Sequence, residues 1–343
     1  MSAAGLPQGA NCAPSGGVGV VNRVAGPPQG ANCAPSGGVG VVNCAAMAPS
    51  AFGATATGSL ARTVLGLFKL RIGVMIMITA LVGLAVAPGP ALGVAQVIVL
   101  ALSVLASAAA AGAFNQYVEV DTDRLMARTR GRAFVTGALP HSPAWLALIV
   151  LLLAAAVGSA WAALNAAAAL YTFLGAFFYG VVYTLWLKRR SWLNIVVGGL
   201  AGSFAVLAGA AAVDPQIGAL PLLLALVLFL WTPPHFWSLA IANQADYAAA
   251  GVPMMPVVFG TERAAHIVLG STLALVAASL LPAFFGAGPI YLVGAALGGG
   301  HFVHKAWRLS RAPSRKTAMA SFFASLVQLS LVLAAATIDG LVR

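Results

Sequence analysis

Asn115, Glu119 and Asp123 fall at positions i, i+4 and i+8 of the stretch FNQYVEVDTDRLMARTRGR, Phe114 to Arg132. If a helix runs through them, all three project from one face over roughly 12 Å at 1.5 Å per residue, and Asp121 points elsewhere. Such a face offers only hard oxygen donors. Mg²⁺ is commonly held by one or two carboxylates together with substrate phosphates. The plain alternative is a solvated loop whose acids pair with Arg124 and Arg128. Scarcity argues for a site instead: three of the seven acidic residues stand within five positions of a chain that is only 7% charged.

A second acidic stretch, IANQADYAAAGVPMMPVVFGTER, carries Asp246, with Glu262 further on. Two acidic elements facing one another would hold Mg²⁺ ions bridging a diphosphate. Arg128, Arg132, Lys188 and Arg189 are the cations expected to neutralise the remaining phosphate charge. Beneath them lies apolar sequence. A lipid diphosphate and an apolar acceptor suit such a pocket.

The elements that must position these residues are membrane helices. The chain is 61% hydrophobic, and its charged fraction is far below the roughly 25% of a soluble domain. A net charge of +11 would otherwise suggest nucleic acid, but no basic, aromatic-interleaved face outside the membrane is there to bind it. A bilayer crossing takes about 20 apolar residues. Nine runs qualify, at about 72–87, 93–114, 143–164, 166–187, 193–213, 218–241, 265–285, 289–304 and 319–338. The pattern predicts an all-α polytopic membrane protein of nine transmembrane helices around a lipid-open central pocket. Lys69 and Arg71, the arginines of 124–132, Lys188 to Arg190, Arg263, and the cluster from Lys305 to Lys316 all fall on alternate loops. The opposite loops, near Pro88, Asn165, Asp214 and Gly288, have none. The positive-inside rule then makes the N-terminus and the charged loops cytoplasmic.

The first loop resembles the Asn-x-x-x-Asp/Glu-x-x-x-Asp signature of the intramembrane (UbiA-type) prenyltransferase superfamily. Four further stretches resemble its protoheme IX farnesyltransferase, or heme O synthase, branch. They are DRLMARTRGR, YTLWLKRRSWLNIVVGGLAGS, WTPPHFWSLAI and DYAAAGVPMMPVV. The likeness runs from about Lys69 to the C-terminus. It implies that farnesyl from farnesyl diphosphate is transferred to a vinyl group of heme b, with addition of water, for heme-copper oxidases. It implies Mg²⁺ on Asn115, Glu119, Asp123 and Asp246, substrate contacts at Tyr183 and Tyr247, and membrane lipid around the bundle. A heme-delivery or heme A synthase partner is compatible with it. Two departures stand out. Asn243, Gln244 and Ala245 replace the charges that the family has before the second tyrosine, so a second metal half-site is expected to be weaker or to use water. Ala133 stands where the family has proline.

His235, in WTPPHFW, has two readings: a heme-iron ligand, or a packing histidine beside a Pro-Pro kink. His301 and His304 read as snorkelling groups. Gly198, Gly199 and Gly202 read as sites of close helix packing. Arg128 and Arg132 suit either diphosphate or the heme propionates. Arg128, nearer Asp123 in the chain, is expected at the diphosphate and Arg132 at a propionate. A sister enzyme acting on a quinone precursor or chlorophyllide would share the Asn115 signature but not WTPPHFW or RTRGR. A transporter would need ionisable groups at the bilayer midplane, and the runs have almost none. Arginine outnumbers lysine 14 to 4, which suggests a GC-rich bacterial genome and a bacterial inner membrane.

Residues 1–58 are expected to form a disordered tail before the helical domain of 59–343. PQGANCAPSGGVGVVN occurs there twice, at Pro7–Asn22 and Pro28–Asn43, and Cys12, Cys33 and Cys44 match no metal spacing. Met47 follows the repeat and could be a start. A protein beginning at Met47 is therefore expected to insert and turn over like the full chain. Membrane yield and activity measured side by side check this, and a large loss in either would give the tail a role.

Overall fold

The computed structural model of the protein describes residues 60–342. The duplicated segment, the three cysteines and Arg343 lie outside them. The described residues form helices α1 (Leu60–Leu67), α2 (Leu70–Val86), α3 (Val94–Val118), α4 (Val120–Arg124), α5 (Ala133–Thr136), α6 (Pro143–Ala163), α7 (Ala166–Phe177) and α8 (Asn194–Gly198). There follow α9 (Leu200–Val213), α10 (Ala219–Ala242), α11 (Gln244–Ala249), α12 (Met255–Phe259), α13 (Thr261–Leu280), α14 (Pro289–Arg311) and α15 (Arg315–Val342). α7 runs on as a π-wound stretch, Phe178–Leu187, and α13 as a 3₁₀ turn, Leu281–Phe285. Among the described residues there is no strand. Every apolar run of the sequence is covered by a helix.

Seven of these helices are long and apolar enough to cross a membrane, or eight if α1 and α2, bent by 46°, count as one broken span. The remaining expected crossing is α14. It is 23 residues long, but its second half carries His301, His304, Lys305, Arg308 and Arg311, too polar to count. The outer surface is apolar: Leu151, Trp161, Phe284 and Leu297 are each more than 60% exposed. With no water in a bilayer core, backbone polar groups must be satisfied within the helices. The protein is a multi-pass membrane protein.

Long helices adjacent in sequence pack side by side, and α15 returns against α2 to close the ring. Inside it α2 also meets α9. Small residues set that approach. A Cβ on Gly209 would stand 1.8 Å from the Ala80 carbonyl, and one on Gly83 would stand 2.1 Å from that of Val206. Lipid tails are as apolar as leucine, so such close backbone packing does what hydrophobic collapse does in water. The short turns at one end are pinned by polar side chains. The Asn165 amide donates to the Ala211 carbonyl (2.7 Å), and the Gly288 N–H donates to Asp339 Oδ2 (2.7 Å). The opposite end carries the charged loops.

Gly209→Val should force α2 and α9 apart and cost about 1–3 kcal/mol, seen as a lower Tm in detergent. Gly158→Ala, whose Cβ would meet nothing within 4 Å, should leave Tm unchanged.

Candidate active site

Local winding decides where the acidic face points. α3 ends at Val118 and α4 begins at Val120, yet the helical register carries through. The Glu119 N–H reaches the Asn115 carbonyl (3.2 Å) and the Asp123 N–H reaches that of Glu119 (2.8 Å). Asn115, Glu119 and Asp123 therefore share one face, and all three are buried. Asp121 is turned out, 89% exposed, and pairs with Arg124 at 3.5 Å.

Each buried donor meets a cation from a different part of the chain. Lys69 Nζ donates to Asn115 Oδ1 (2.6 Å) and lies 3.4 Å from the Tyr179 hydroxyl. Lys188 is hydrogen-bonded to Glu119 Oε1. Arg132 is hydrogen-bonded to Asp123 and stands 3.9 Å from Glu119 Oε2. Burial pushes the Lys188 ammonium below its usual pKa, and the Glu119 carboxylate opposes that. Arg189 donates to Thr122.

The π winding brings the Lys188 cation here. Bonds from i to i+5 put residues four and five apart above one another. Tyr179 and Tyr183 stack at 5.7 Å, and the Lys188 N–H reaches the Tyr183 carbonyl (2.9 Å). The stretch also presents Thr184, whose hydroxyl accepts from Asn115 Nδ2 (3.2 Å). The 125–132 loop is fixed by buried Met126 and by the Thr129 hydroxyl, which donates to the Asp123 carbonyl (3.1 Å).

A cavity of about 270 Å³ opens beside this cluster. Lys69, Asn115, Arg128, Arg132 and Tyr247 line its polar end, and Tyr179 and Tyr183 one side. Further along, small residues of α3, α7 and α9, including Ala108, Ala176 and Ala205, form apolar walls. The arrangement suits an apolar molecule with an anionic head: cations, two tyrosine rings and apolar side chains line one cavity.

The structure brings together most of the residues picked out from sequence, and moves some. Among the described residues Arg128 makes no ion pair with Asp123: it lines the cavity together with Tyr247, whose phenol burial pushes up in pKa. Arg132 takes the place beside Asp123. Sequence distance misled because the loop turns back on itself between the two arginines. His235 does not line the cavity. It is stacked between Trp231 (4.1 Å) and Phe322 (4.5 Å), with Nδ1 2.6 Å from Ser325 Oγ. It joins α10 to α15 beside Pro233 and Pro234, the kind of contact that the packing reading expects. Asp246 is half-buried on α11 and also lies off the cavity wall, though its neighbour Tyr247 is on it. Among the described residues no three His, Cys, Asp or Glu side chains cluster as a metal site, so the fourfold set with Asp246 is not assembled. Gln244, standing where charge was expected, ties the second loop together: it donates to the Pro256 carbonyl (2.7 Å) and accepts from Thr261 (2.5 Å). Lys69, Tyr179 and Thr184 were not singled out from sequence. Lys69 had a local signal, a lone lysine at the mouth of the first run.

The profile of the UbiA prenyltransferase family matches residues 76–327. Protoheme IX farnesyltransferase 2 of Paramagnetospirillum magneticum is 58% identical over 275 residues, 80% of this chain and 95% of that protein. Protoheme IX farnesyltransferase of Acidiphilium cryptum is 40% identical over 310 residues, 85% of this chain and 93% of that protein. Among solved structures, that of digeranylgeranylglyceryl phosphate synthase is similar with a TM-score of 0.69 at 17% identity, covering 82% of this chain and 99% of the other. A UbiA homolog from Archaeoglobus fulgidus bound to DMAPP and Mg²⁺ gives 0.61 at 16% identity, covering 79% and 99%. At such identities the likeness is one of fold.

Removing the Glu119 charge would leave Lys188 buried and unpaired. Breaking a buried pair costs roughly 3–5 kcal/mol, so Glu119→Gln should lower Tm measurably while Asp121→Asn does not. Equal Tm values for the two would mean that the buried pairing adds nothing to stability.

Proposed function

The chain belongs to the UbiA prenyltransferase family, and from that premise we propose that it transfers farnesyl from farnesyl diphosphate to a vinyl group of heme b, making heme O. The observation that carries this reading is the joining of two features. A buried oxygen-donor face set among cations reaches an apolar channel through Asn115, Lys69 and Arg132, with Glu119, Asp123 and Lys188 behind the cavity wall, in a chain 58% identical to a protoheme IX farnesyltransferase.

Asn115, Glu119 and Asp123 fit Mg²⁺. All three are buried oxygen donors, and Glu119 Oε2 is a buried carboxylate oxygen with no hydrogen-bond partner. The A. fulgidus homolog bound to DMAPP and Mg²⁺ supports the same choice. Bound there, the ion would supply charge stabilisation to a departing diphosphate. Lys69, Arg132 and Lys188 stand where they can hydrogen-bond the diphosphate oxygens as the allylic C–O bond breaks. Tyr179 and Tyr183 face the cavity where the allylic cation would form, and aromatic faces attract cations. The vinyl π electrons then attack that cation, and water adds to the resulting carbocation and loses a proton to solvent. No nucleophilic side chain is required. Arg128, held away from the acids at Tyr247, is the arginine for a heme propionate, a pairing that suits its planar fork. Asp246 acts at a distance, through the loop that carries Tyr247. The alternation of basic and uncharged loops supports a cytoplasmic active site, and the arginine-rich composition supports a bacterial inner membrane.

Membranes containing the protein, given heme b, farnesyl diphosphate and Mg²⁺, are expected to yield heme O on chromatography. Prenylation of a quinone precursor with heme b untouched would overturn the reading. Asp123→Ala is expected to abolish turnover in a folded, inserted protein. Arg128→Ala should raise KM for heme roughly tenfold, the worth of about one charge-assisted hydrogen bond, and leave that for farnesyl diphosphate nearly unchanged. Arg132→Ala should do the reverse.

A further inference from the structure

Two carboxylates in the site, Glu119 and Asp123, are matched by two ion-pairing cations, Lys188 and Arg132. Lys69 is a third cation and makes no salt bridge among the described residues. Its ammonium instead sits on the neutral amide oxygen of Asn115. Arg128 is a fourth, lining the same cavity. Positive charge therefore exceeds negative charge at the very donors that would hold a divalent ion.

The placement of Lys69 is built into the fold. It lies in the break between α1 and α2 with φ 47° and ψ 43°, the left-handed region that a residue with a side chain rarely enters. Its side chain runs along Gly112 on α3, where an added Cβ would make ordinary contact with Lys69 Cδ at 3.4 Å and the Phe68 carbonyl at 3.5 Å. Backbone conformations of this kind persist only where the surrounding structure enforces them, and they gather at functional sites.

Resting on the prenyl-diphosphate reading, we propose that Lys69, Arg132 and Lys188 close the metal site until a diphosphate arrives. A bare divalent ion would find only Glu119 Oε2 without a hydrogen bond; it would have to displace cations from Asn115 and Asp123 and then share a buried space with all of them, where like charges repel with little screening. A diphosphate removes that obstacle. Its oxygens accept hydrogen bonds from the ammonium and guanidinium groups, which swing off Asn115, Glu119 and Asp123, and the freed donors face the ion. Binding of the two is then coupled, and each must raise the affinity of the other by the same factor. The arrangement fills the metal site only when there is a diphosphate to work on.

Equilibrium dialysis of Mn²⁺ against the full chain in detergent tests this, with and without saturating inorganic pyrophosphate. Wild type should take up Mn²⁺ at least about tenfold more tightly with pyrophosphate present, within the usual range of coupling between sites. Lys69→Gln keeps a hydrogen-bonding group on Asn115 but removes the charge. It should tighten binding of Mn²⁺ alone by about tenfold and shrink the gain from pyrophosphate, because the coupling is what the cation creates. Lys188→Gln should move both values in the same directions, and it replaces Lys69→Gln if that protein does not fold. Wild-type affinity that ignores pyrophosphate, or a Lys69→Gln protein that binds Mn²⁺ alone no better than wild type, overturns the closed-site proposal and leaves the prenyltransferase reading standing. A protein that makes heme O yet takes up no Mn²⁺ in either condition overturns both this proposal and the metal assignment beneath it.

Discussion

A carboxylate can be buried at the edge of a membrane protein only if something compensates its lost hydration, and here that requirement shapes one end of the bundle. Glu119 and Asp123 are each at most 3% exposed. An unpaired charge at such a depth is far costlier than any single packing defect. The compensating cations come from the loop before α5 and the end of the π-wound stretch, and the α1–α2 break adds Lys69 on the neutral Asn115 amide. Each of those irregularities departs from the simple hairpin that would join two membrane helices, and each delivers one side chain. The ionic cluster thus ties together segments that the helices alone would leave independent.

Beneath the cluster the physics changes from charge to shape. Large side chains such as Leu224, Tyr291 and Phe302 fill the core between some helices, whereas α2 and α9 approach backbone to backbone at Gly83 and Gly209. Six alanines and four glycines stand among the residues that line the channel. Thin walls leave an elongated space inside a ring that is otherwise tightly packed. Packing of this kind holds two rigid surfaces at a fixed gap, and a prenyl chain has the length and flexibility to fill it. Specificity for the head group and room for the tail therefore come from different physical sources, which meet at Tyr179 and Tyr183.

The helices were legible because a membrane demands unbroken apolar length, and that demand is written along the chain. The polarity of α14 was legible too, in His301, His304 and Lys305, though its apolar first half reads as a crossing. Asn115, Glu119 and Asp123 were legible because a helix repeats every 3.6 residues and their spacing follows it. What could not be read depended on contacts between distant segments. No local pattern says that Lys69 reaches Asn115, 46 residues away. The loop from Leu125 to Arg132 has no period to project, so the exchanged positions of Arg128 and Arg132 appear only in three dimensions. His235 also depends on distant contacts: its partners Ser325 and Phe322 lie on α15, some 90 residues on. The uncharged amide of Gln244 serves the fold of its own loop.

The cations now resting on Asn115, Glu119 and Asp123 are there to be handed to a diphosphate. A structure of the protein solved by electron cryomicroscopy with Mg²⁺ and inorganic pyrophosphate tests it most directly. The account predicts pyrophosphate at the cationic mouth of the channel, Lys69, Arg132 and Lys188 on its oxygens, and metal density against the three donors. Pyrophosphate bound elsewhere, with Lys188 still on Glu119 and Arg132 still on Asp123, would contradict it.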